Sequence, residues 1–374
     1  MRFDVSKTTL QDAIAIVSKA TASGSTLPIL TGILLKAEEG ELTLQATDLD
    51  VSLRHTVAAN VREPGSTVVS GKILANLVKT LRGSTVSFDS DHNSIQVKCG
   101  NSRFNLNTLN PVDFPEFPQI DPEKSVTLPV DTLADMVNRV YKMTSKDLSH
   151  PILGGIYLTV DENLVRLVAT DSYRLAVCDT NVETSTLTES FQVIVSGNAF
   201  HEALSTFPST TDDGSVAEVV LGATDSQVSF RCGNTLYVSR CIEGNFPDYR
   251  QLLPSSCTTS LTPQLGELQD ALKCVSVMTT QNPRVRFDVD VDGARVTLSA
   301  VNADMGDAVE VLEDIEVEGQ NVSIGLNHRY VSDCLAALGD RETVSIELLG
   351  EMQPAIFKSY GKPNYLQLIM PTRL

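Results

Sequence analysis

His150-Pro-Ile-Leu-Gly-Gly-Ile-Tyr-Leu158, followed by Leu167-Val-Ala-Thr-Asp-Ser-Tyr-Arg-Leu-Ala-Val177, decides how this chain is read. Both stretches are second copies. Near the N-terminus the chain runs Leu27-Pro-Ile-Leu-Thr-Gly-Ile-Leu-Leu35 and then Leu44-Gln-Ala-Thr-Asp-Leu49. Pro28 returns as Pro151 and Ala46-Thr47-Asp48 as Ala169-Thr170-Asp171, both at an offset of 123 residues (151 − 28 and 169 − 46). Two markers in one phase read as an internal repeat.

A fainter third copy follows in order. Pro283 precedes the alternating run Val285 to Phe287, and Ala300-Val-Asn-Ala-Asp304 stands where the Ala-Thr-Asp triplet falls. Late in the first two copies, Cys99-Gly-Asn101 returns as Cys232-Gly-Asn234, and Phe114-Pro-Glu-Phe117 as Phe246-Pro-Asp-Tyr249. Proline and charge collect at Pro115 to Glu123 and at Pro254 to Pro263, which read as linkers. The expected domains are therefore 1–120, 121–255 and 256–374. Units of this length are repeated domains rather than a solenoid.

Within the first copy, residues 7–20 place Leu10, Ile14 and Val17 at helical spacing, with Ser6 or Thr8 placed to cap the start. Strands are expected at Ile29 to Leu35, Leu42 to Ala46 and Val51 to Val61, a second helix at Gly71 to Leu81, and strands again to Leu109. The second copy repeats that order, with helices from Val130 and from Gly197 to Phe207. The third has helices at Leu265 to Met278 and Asn327 to Leu338. The fold class is α+β with antiparallel sheet.

The composition excludes several functions. No stretch approaches a membrane-spanning length and the start lacks a signal-peptide pattern, so the expected location is the cytoplasm. Seven cysteines without a C-x-x-C pair argue against a disulfide framework or a structural zinc. The net charge of −18 predicts repulsion from nucleic acid if it is evenly spread. It is not. The helix at 71–82 carries Lys72, Lys79 and Arg82 and no carboxylate, while that at 130–146 carries Arg139, Lys142 and Lys146 against two. A solvated basic face and a phosphate-attracting face both fit this pattern.

Motifs for chemistry fail on inspection. Gly65 to Lys72 has the wrong spacing for a phosphate loop, and Ile73 stands where Ser or Thr must bind magnesium. Asp288-x-Asp290-x-Asp292-Gly293 lacks the bidentate Glu of a calcium loop at its twelfth position and reads as a strand entering a hairpin. The five histidines are scattered, and Cys178 sits in an apolar run as a core thiol. No cofactor and no metal are expected. A metal-dependent nuclease using Asp171 or Asp288 to Asp292 is the reading these carboxylates offer for an enzyme.

With its repeats, the stretch Thr170 to Leu175, Phe246-Pro-Asp-Tyr-Arg250 and the ending Met370-Pro-Thr-Arg-Leu374, the chain resembles the bacterial DNA polymerase III subunit beta family of sliding clamps. The resemblance implies three clamp domains, antiparallel sheets outside and paired helices inside, closing as a head-to-tail homodimer into a six-domain ring. It implies a non-catalytic processivity factor on duplex DNA, loaded by a clamp loader. Its partners are the replicative polymerase alpha subunit, other polymerases and repair proteins, docking through short apolar peptides. The peptide pocket it implies is walled by Ile152, Leu153, Thr170, Ser172, Tyr173, Arg174 and Leu175. The second half of that wall is Pro247, Leu252, Leu368, Met370, Thr372 and Arg373. It further implies that Lys72, Lys79, Arg82, Arg139, Lys142 and Lys146 face DNA, and that Phe104 and Leu106 pack against Val277 and Met278 at the dimer joint. Thr372 departs from the family's Met or Val, and Gly24, Gly197 and Asn198 stand where some relatives carry basic residues.

Overall fold

The computed structural model describes residues 1–374 apart from 23, 25, 92, 120–124, 183–189, 212, 255, 281, 340–342 and 361–363. The expected boundary at 120/121, the end of the first linker at Glu123 and His92 lie outside the described residues, as does Ser255 in the second linker. The chain forms two compact units. One is built chiefly from Met1–Asp131 and Glu202–Cys241, the other from Thr132–Glu183, Glu189–His201 and Ile242–Leu374.

Alternating apolar and polar residues make most of the first unit strand. One five-stranded sheet runs Asn60–Glu63, Arg2–Ser6, Thr85–Ser90, Ser94–Cys99, Ser102–Asn107. An eight-stranded sheet begins Ser125–Pro129, Glu218–Ala223, Gln227–Cys232, Thr235–Arg240 and continues Val51–Ala58, Glu41–Thr47, Gly32–Glu38, Gly65–Ser70. The second unit holds a nine-stranded sheet in which Arg174–Asn181 pairs with Tyr365–Ile369, and a four-stranded sheet edged by Gly306–Leu312. Every strand pairing among the described residues is antiparallel, as the sequence pattern requires.

Six α-helices are present among the described residues. They are α1 (Lys7–Val17), α2 (Gly71–Thr80), α3 (Val130–Tyr141), α4 (Gly197–Leu204), α5 (Leu265–Ser276) and α6 (His328–Ala337). Helices this short do not hold alone in water, so packing makes them. Leu10, Ala13, Ile14 and Val17 of α1 and Leu74, Leu77 and Val78 of α2 are buried. Each large side chain so buried contributes about 1.5–3 kcal/mol.

The repeated markers turn out to be structural. Pro28–Thr31 and Pro151–Gly154 are both single 3₁₀ turns with proline at the start, where its missing N–H costs nothing. The glycine that follows each must stay small. A Cβ on Gly32 would lie 2.5 Å from Val68, and one on Gly155 2.3 Å from Ile194. The Ala-Thr-Asp triplets each close a tight turn described below.

Several boundaries differ from the pattern reading. A short strand precedes the first helix of every copy (Arg2–Ser6, Ser125–Pro129, Thr259–Thr262), too brief for alternation to register. The expected strand Val51 to Val61 breaks at Ala59, and its two parts join different sheets. Helix α3 stops at Tyr141, so Lys142 and Lys146 lie beyond it. The Ser6 hydroxyl bonds the Thr8 hydroxyl at 2.9 Å and caps no backbone N–H. The Asp290–Arg295 segment is a hairpin, as expected, with Asp290 paired to Arg295.

Candidate functional site

The turn after strand Leu164–Thr170 shows why Thr and Asp recur. Thr170 Oγ1 donates to the Arg174 carbonyl at 2.7 Å and accepts the Ser172 N–H at 3.2 Å. Asp171 Oδ1 accepts the N–H groups of Tyr173 and Arg174, each at 3.0 Å. These bonds hold Ser172 at φ +76°, a conformation that non-glycine residues avoid. Pinned this way, the turn presents Tyr173 outward at 63% exposure.

The chain's last residues are tied to that turn. Met370 N–H donates to the Tyr173 carbonyl at 2.9 Å, Thr372 N–H to the Gly325 carbonyl at 2.8 Å, and Arg284 to the Arg373 carbonyl at 2.6 Å. Beneath them Val168, Leu175, Val177, Tyr249 and Leu368 form a buried apolar cluster, flanked by Phe246 stacked on Tyr157 at 4.9 Å. Leu175 and Leu368 are thus floor rather than surface, each 1% exposed. Pro247, Leu252, Met370 and Arg373 stay accessible beside them, and Ile152, Leu153 and Thr372 are half-buried. Thr372 Oγ1 is buried without a hydrogen-bond partner, the polar atom its departure from the family pattern introduces. This is an apolar floor with an open, mixed rim on one rigid turn.

Arg174 works differently from the other wall residues. Its guanidinium pairs with Asp171 at 2.9 Å and Asp333 at 2.7 Å, donates to the Lys142 carbonyl at 2.8 Å and lies 4.4 Å above the Tyr330 ring. Burial opposes its charge, but the hydrogen bonds it donates to Asp333 and Asp171, with their negative charges, outweigh that and raise its pKa. It fastens the turn to α6 and leaves little of itself to a ligand. Tyr330 and Asp333 were not legible as site residues, because nothing in the sequence marks two positions near 330 as partners of position 174.

The basic residues separate into two kinds. Lys72 and Lys79 on α2, with Arg82 just past it, are exposed and have no ion pair among the described residues. Arg139 is largely covered, pairs with Asp135 at 2.7 Å and faces the Tyr365 ring. Lys142 sits 3.4 Å from Asp333, and with Lys146 it lines a cavity of about 810 Å³ beside Tyr141, Asn198 and Arg174.

At the sheet margins, strand Ser102–Asn107 is an edge that carries Phe104 at 37% exposure, and Gly306–Leu312 is an edge with Val309 and Val311 exposed. Val277, just past α5, is 61% exposed. No group of three or more metal-ligating side chains occurs among the described residues. No described helix is long and apolar enough to cross a membrane.

A thrice-repeated antiparallel fold, with a buried apolar cluster beside a turn closed by its own side chains, defines a class of clamp-like proteins. Family models for the N-terminal, central and C-terminal domains of the DNA polymerase III beta subunit match residues 1–118, 127–248 and 250–373. A beta sliding clamp from Staphylococcus aureus is 30% identical over 375 residues, covering 98% of this chain and 96% of that one. The crystal structure of the Bacillus subtilis DNA polymerase sliding clamp superposes with a TM-score of 0.93 at 26% identity, over 100% of this chain and 99% of that one. A DNA polymerase III subunit beta clamp from Pseudomonas aeruginosa bound to griselimycin gives 0.92 at 25%, over 100% of both. The chain belongs to the DNA polymerase III beta subunit family.

Proposed function

We propose that this chain is a DNA sliding clamp, a non-catalytic subunit that encircles duplex DNA as a homodimer and tethers the replicative polymerase. The observation that carries this is the run of three consecutive beta-subunit domains across the chain. The division at 1–120, 121–255 and 256–374 belongs to the same reading, as does the cytoplasm as its location; the central and C-terminal matches meet slightly earlier, between 248 and 250.

The edge strands support the assembly. An unpaired edge invites another strand, and a ring has no use for an open one. Phe104 and Leu106 on the Ser102–Asn107 edge would meet Val277 and Met278 of a second copy head to tail, a contact that closes when the rotation fits. Arg103 lies on that edge with Lys98 opposite it on the next strand, while Asp307 and Glu310 lie on Gly306–Leu312, so the charges there favour the same pairing.

Within the ring, Lys72, Lys79 and Arg82 attract phosphate without reading sequence, and the acidic remainder discourages binding elsewhere. Arg139 is committed to Asp135, and Lys142 and Lys146 add charge beside it. Weak contact suits a sliding ring, whose retention comes from topology. The cleft beside Tyr173 and Met370 takes the apolar anchors of partner peptides from the polymerase alpha subunit, the loader and repair proteins. The griselimycin held by the Pseudomonas relative supports a ligand-taking site on this fold.

The test is retention on nicked circular DNA after loading with the cognate loader and ATP, followed by one cut that makes the DNA linear. Salt is kept high enough to screen phosphate contacts. A ring is lost on linearisation. Equal retention on both forms would refute encirclement, and no retention on either would favour a scaffold that never encircles DNA.

A further inference from the structure

The turn that builds the cleft has a twin in the first unit. Thr47 Oγ1 donates to the Val51 carbonyl at 2.8 Å and accepts the Leu49 N–H at 3.0 Å, and Asp48 Oδ1 accepts the N–H groups of Asp50 and Val51. Leu49 sits at φ +82°, matching Ser172. Arg240 N–H donates to the Asp50 carbonyl at 2.9 Å, as Met370 does to Tyr173. The strand that follows joins Thr235–Arg240 in the register that Arg174–Asn181 uses to join Tyr365–Ile369. The framework of the cleft is therefore present twice.

What stands on the framework differs. In the second unit the row across the sheet is Val177, Leu366, Lys358, covered by Tyr249, and Lys358 is neutralised by Glu347 at 2.6 Å. In the first unit the same row is Arg54, Leu236, Arg231. Phe117, the counterpart of Tyr249, lies over the Arg54 guanidinium at 3.9 Å. Neither arginine has an ion pair among the described residues, and Arg54 Nε is buried without a hydrogen-bond partner. Burial, and then the charge of Arg231, lower the Arg54 pKa, as expected for two like charges in one row of one sheet face. Two strands apart, the backbones are separated by about 10 Å, a distance two arginines can close on one carboxylate.

We propose that this face of the first unit is a second docking site, which captures an acidic peptide segment through Arg54 and Arg231 and seats an apolar residue of it against Leu49. Leu49 is 46% exposed at the tip of the twin turn. It stands five positions from Arg54, three of them along the strand that begins at Val51, about 10 Å, and the rest in the turn. Charge selects a peptide over nucleic acid here. Asp48 and Asp50 on the same turn are exposed and repel a polyphosphate, whereas a peptide with one acidic pair meets only the arginines.

The probe is a fluorescein-labelled peptide with a leucine at one end and paired glutamates five residues on, titrated onto the intact dimer by fluorescence polarisation. Arg231→Glu, an exposed position that does not endanger folding, should weaken binding by at least about tenfold, and Arg54→Gln similarly. Met370→Ala should change nothing, and a glutamine version of the peptide should fail to bind. Unchanged affinity in Arg231→Glu, equal binding of the glutamine peptide, or loss in Met370→Ala would each overturn the proposal. So would a single-stranded thymidine oligonucleotide binding with the same arginine dependence, which would make the site one for nucleic acid.

Discussion

Replacing Thr170 by valine keeps the shape of the side chain and removes one hydroxyl. Thr170 is 7% exposed, and its hydroxyl donates at 2.7 Å and accepts at 3.2 Å, so the change takes one hydrogen bond from the Ser172 N–H and one from the Arg174 carbonyl, which keeps the Asp171 N–H at 3.3 Å. Ser172 is exposed, so each lost bond costs about 0.5–1.5 kcal/mol net, and the left-handed Ser172 adds strain that the lost bonds no longer oppose. The Ser172 amide should then exchange with solvent about tenfold faster, since 1.4 kcal/mol corresponds to a factor of ten. Affinity for an apolar partner peptide should fall by about as much, because Tyr173 and Met370 both hang on this turn. The repeat supplies the control. Thr47→Val, at a residue 4% exposed, removes the equivalent hydroxyl and should speed exchange at Leu49 by a similar factor. It should leave the affinity for an apolar peptide unchanged. Hydrogen exchange read by mass spectrometry, alongside a peptide titration, checks both. If Thr170→Val leaves exchange at Ser172 unaltered, the turn is not held by its side chains. If both variants weaken the peptide equally, the cleft has been placed wrongly.

Met370→Ala with Arg373→Ala should abolish peptide capture and leave the dimer intact, as checked by titration and sedimentation; normal affinity would defeat the cleft assignment. His55, tied to Thr235 at 2.8 Å, has its pKa lowered from 6.5 chiefly by burial. The unfolded chain therefore binds the extra proton more readily, and the stability this group contributes is complete above 6.5 and lost as pH falls through the folded value. Thermal melts should show His55→Gln losing less stability than the parent over that window. Burial pushes the Cys241 thiol up to about 11 and Cys334 well above its usual range, so a thiol reagent at about pH 8 should label Cys257 and spare both. Cys274 lies one helical turn before Val277 and should be slow in the dimer, becoming fast in Phe104→Arg; equal rates would move the joint elsewhere.

The repeat, the α+β class and the core positions were legible in the sequence because each rests on local periodicity. Alternation at residues 155–161 and the spacing of Leu10, Ile14 and Val17 are consequences of which side chains must leave water, and the structure buries those residues. The Thr-Asp marker was visible too, since a turn closed by its own side chains carries its cause within five residues. Tertiary structure alone decided that strand Val51–Ala58 would pair with Thr235–Arg240, some 180 positions away, and that Asp333 would meet Arg174. Neither pairing leaves a local trace, because a strand edge or a carboxylate is the same in sequence whichever partner reaches it. The same holds for charge. Lys72 and Arg139 look alike as residues on basic helices, yet one is open to solvent and the other is spent on Asp135 under an aromatic ring. Sequence fixes how many charges there are. Which remain available to a partner depends on the desolvation and pairing that only the packed chain imposes.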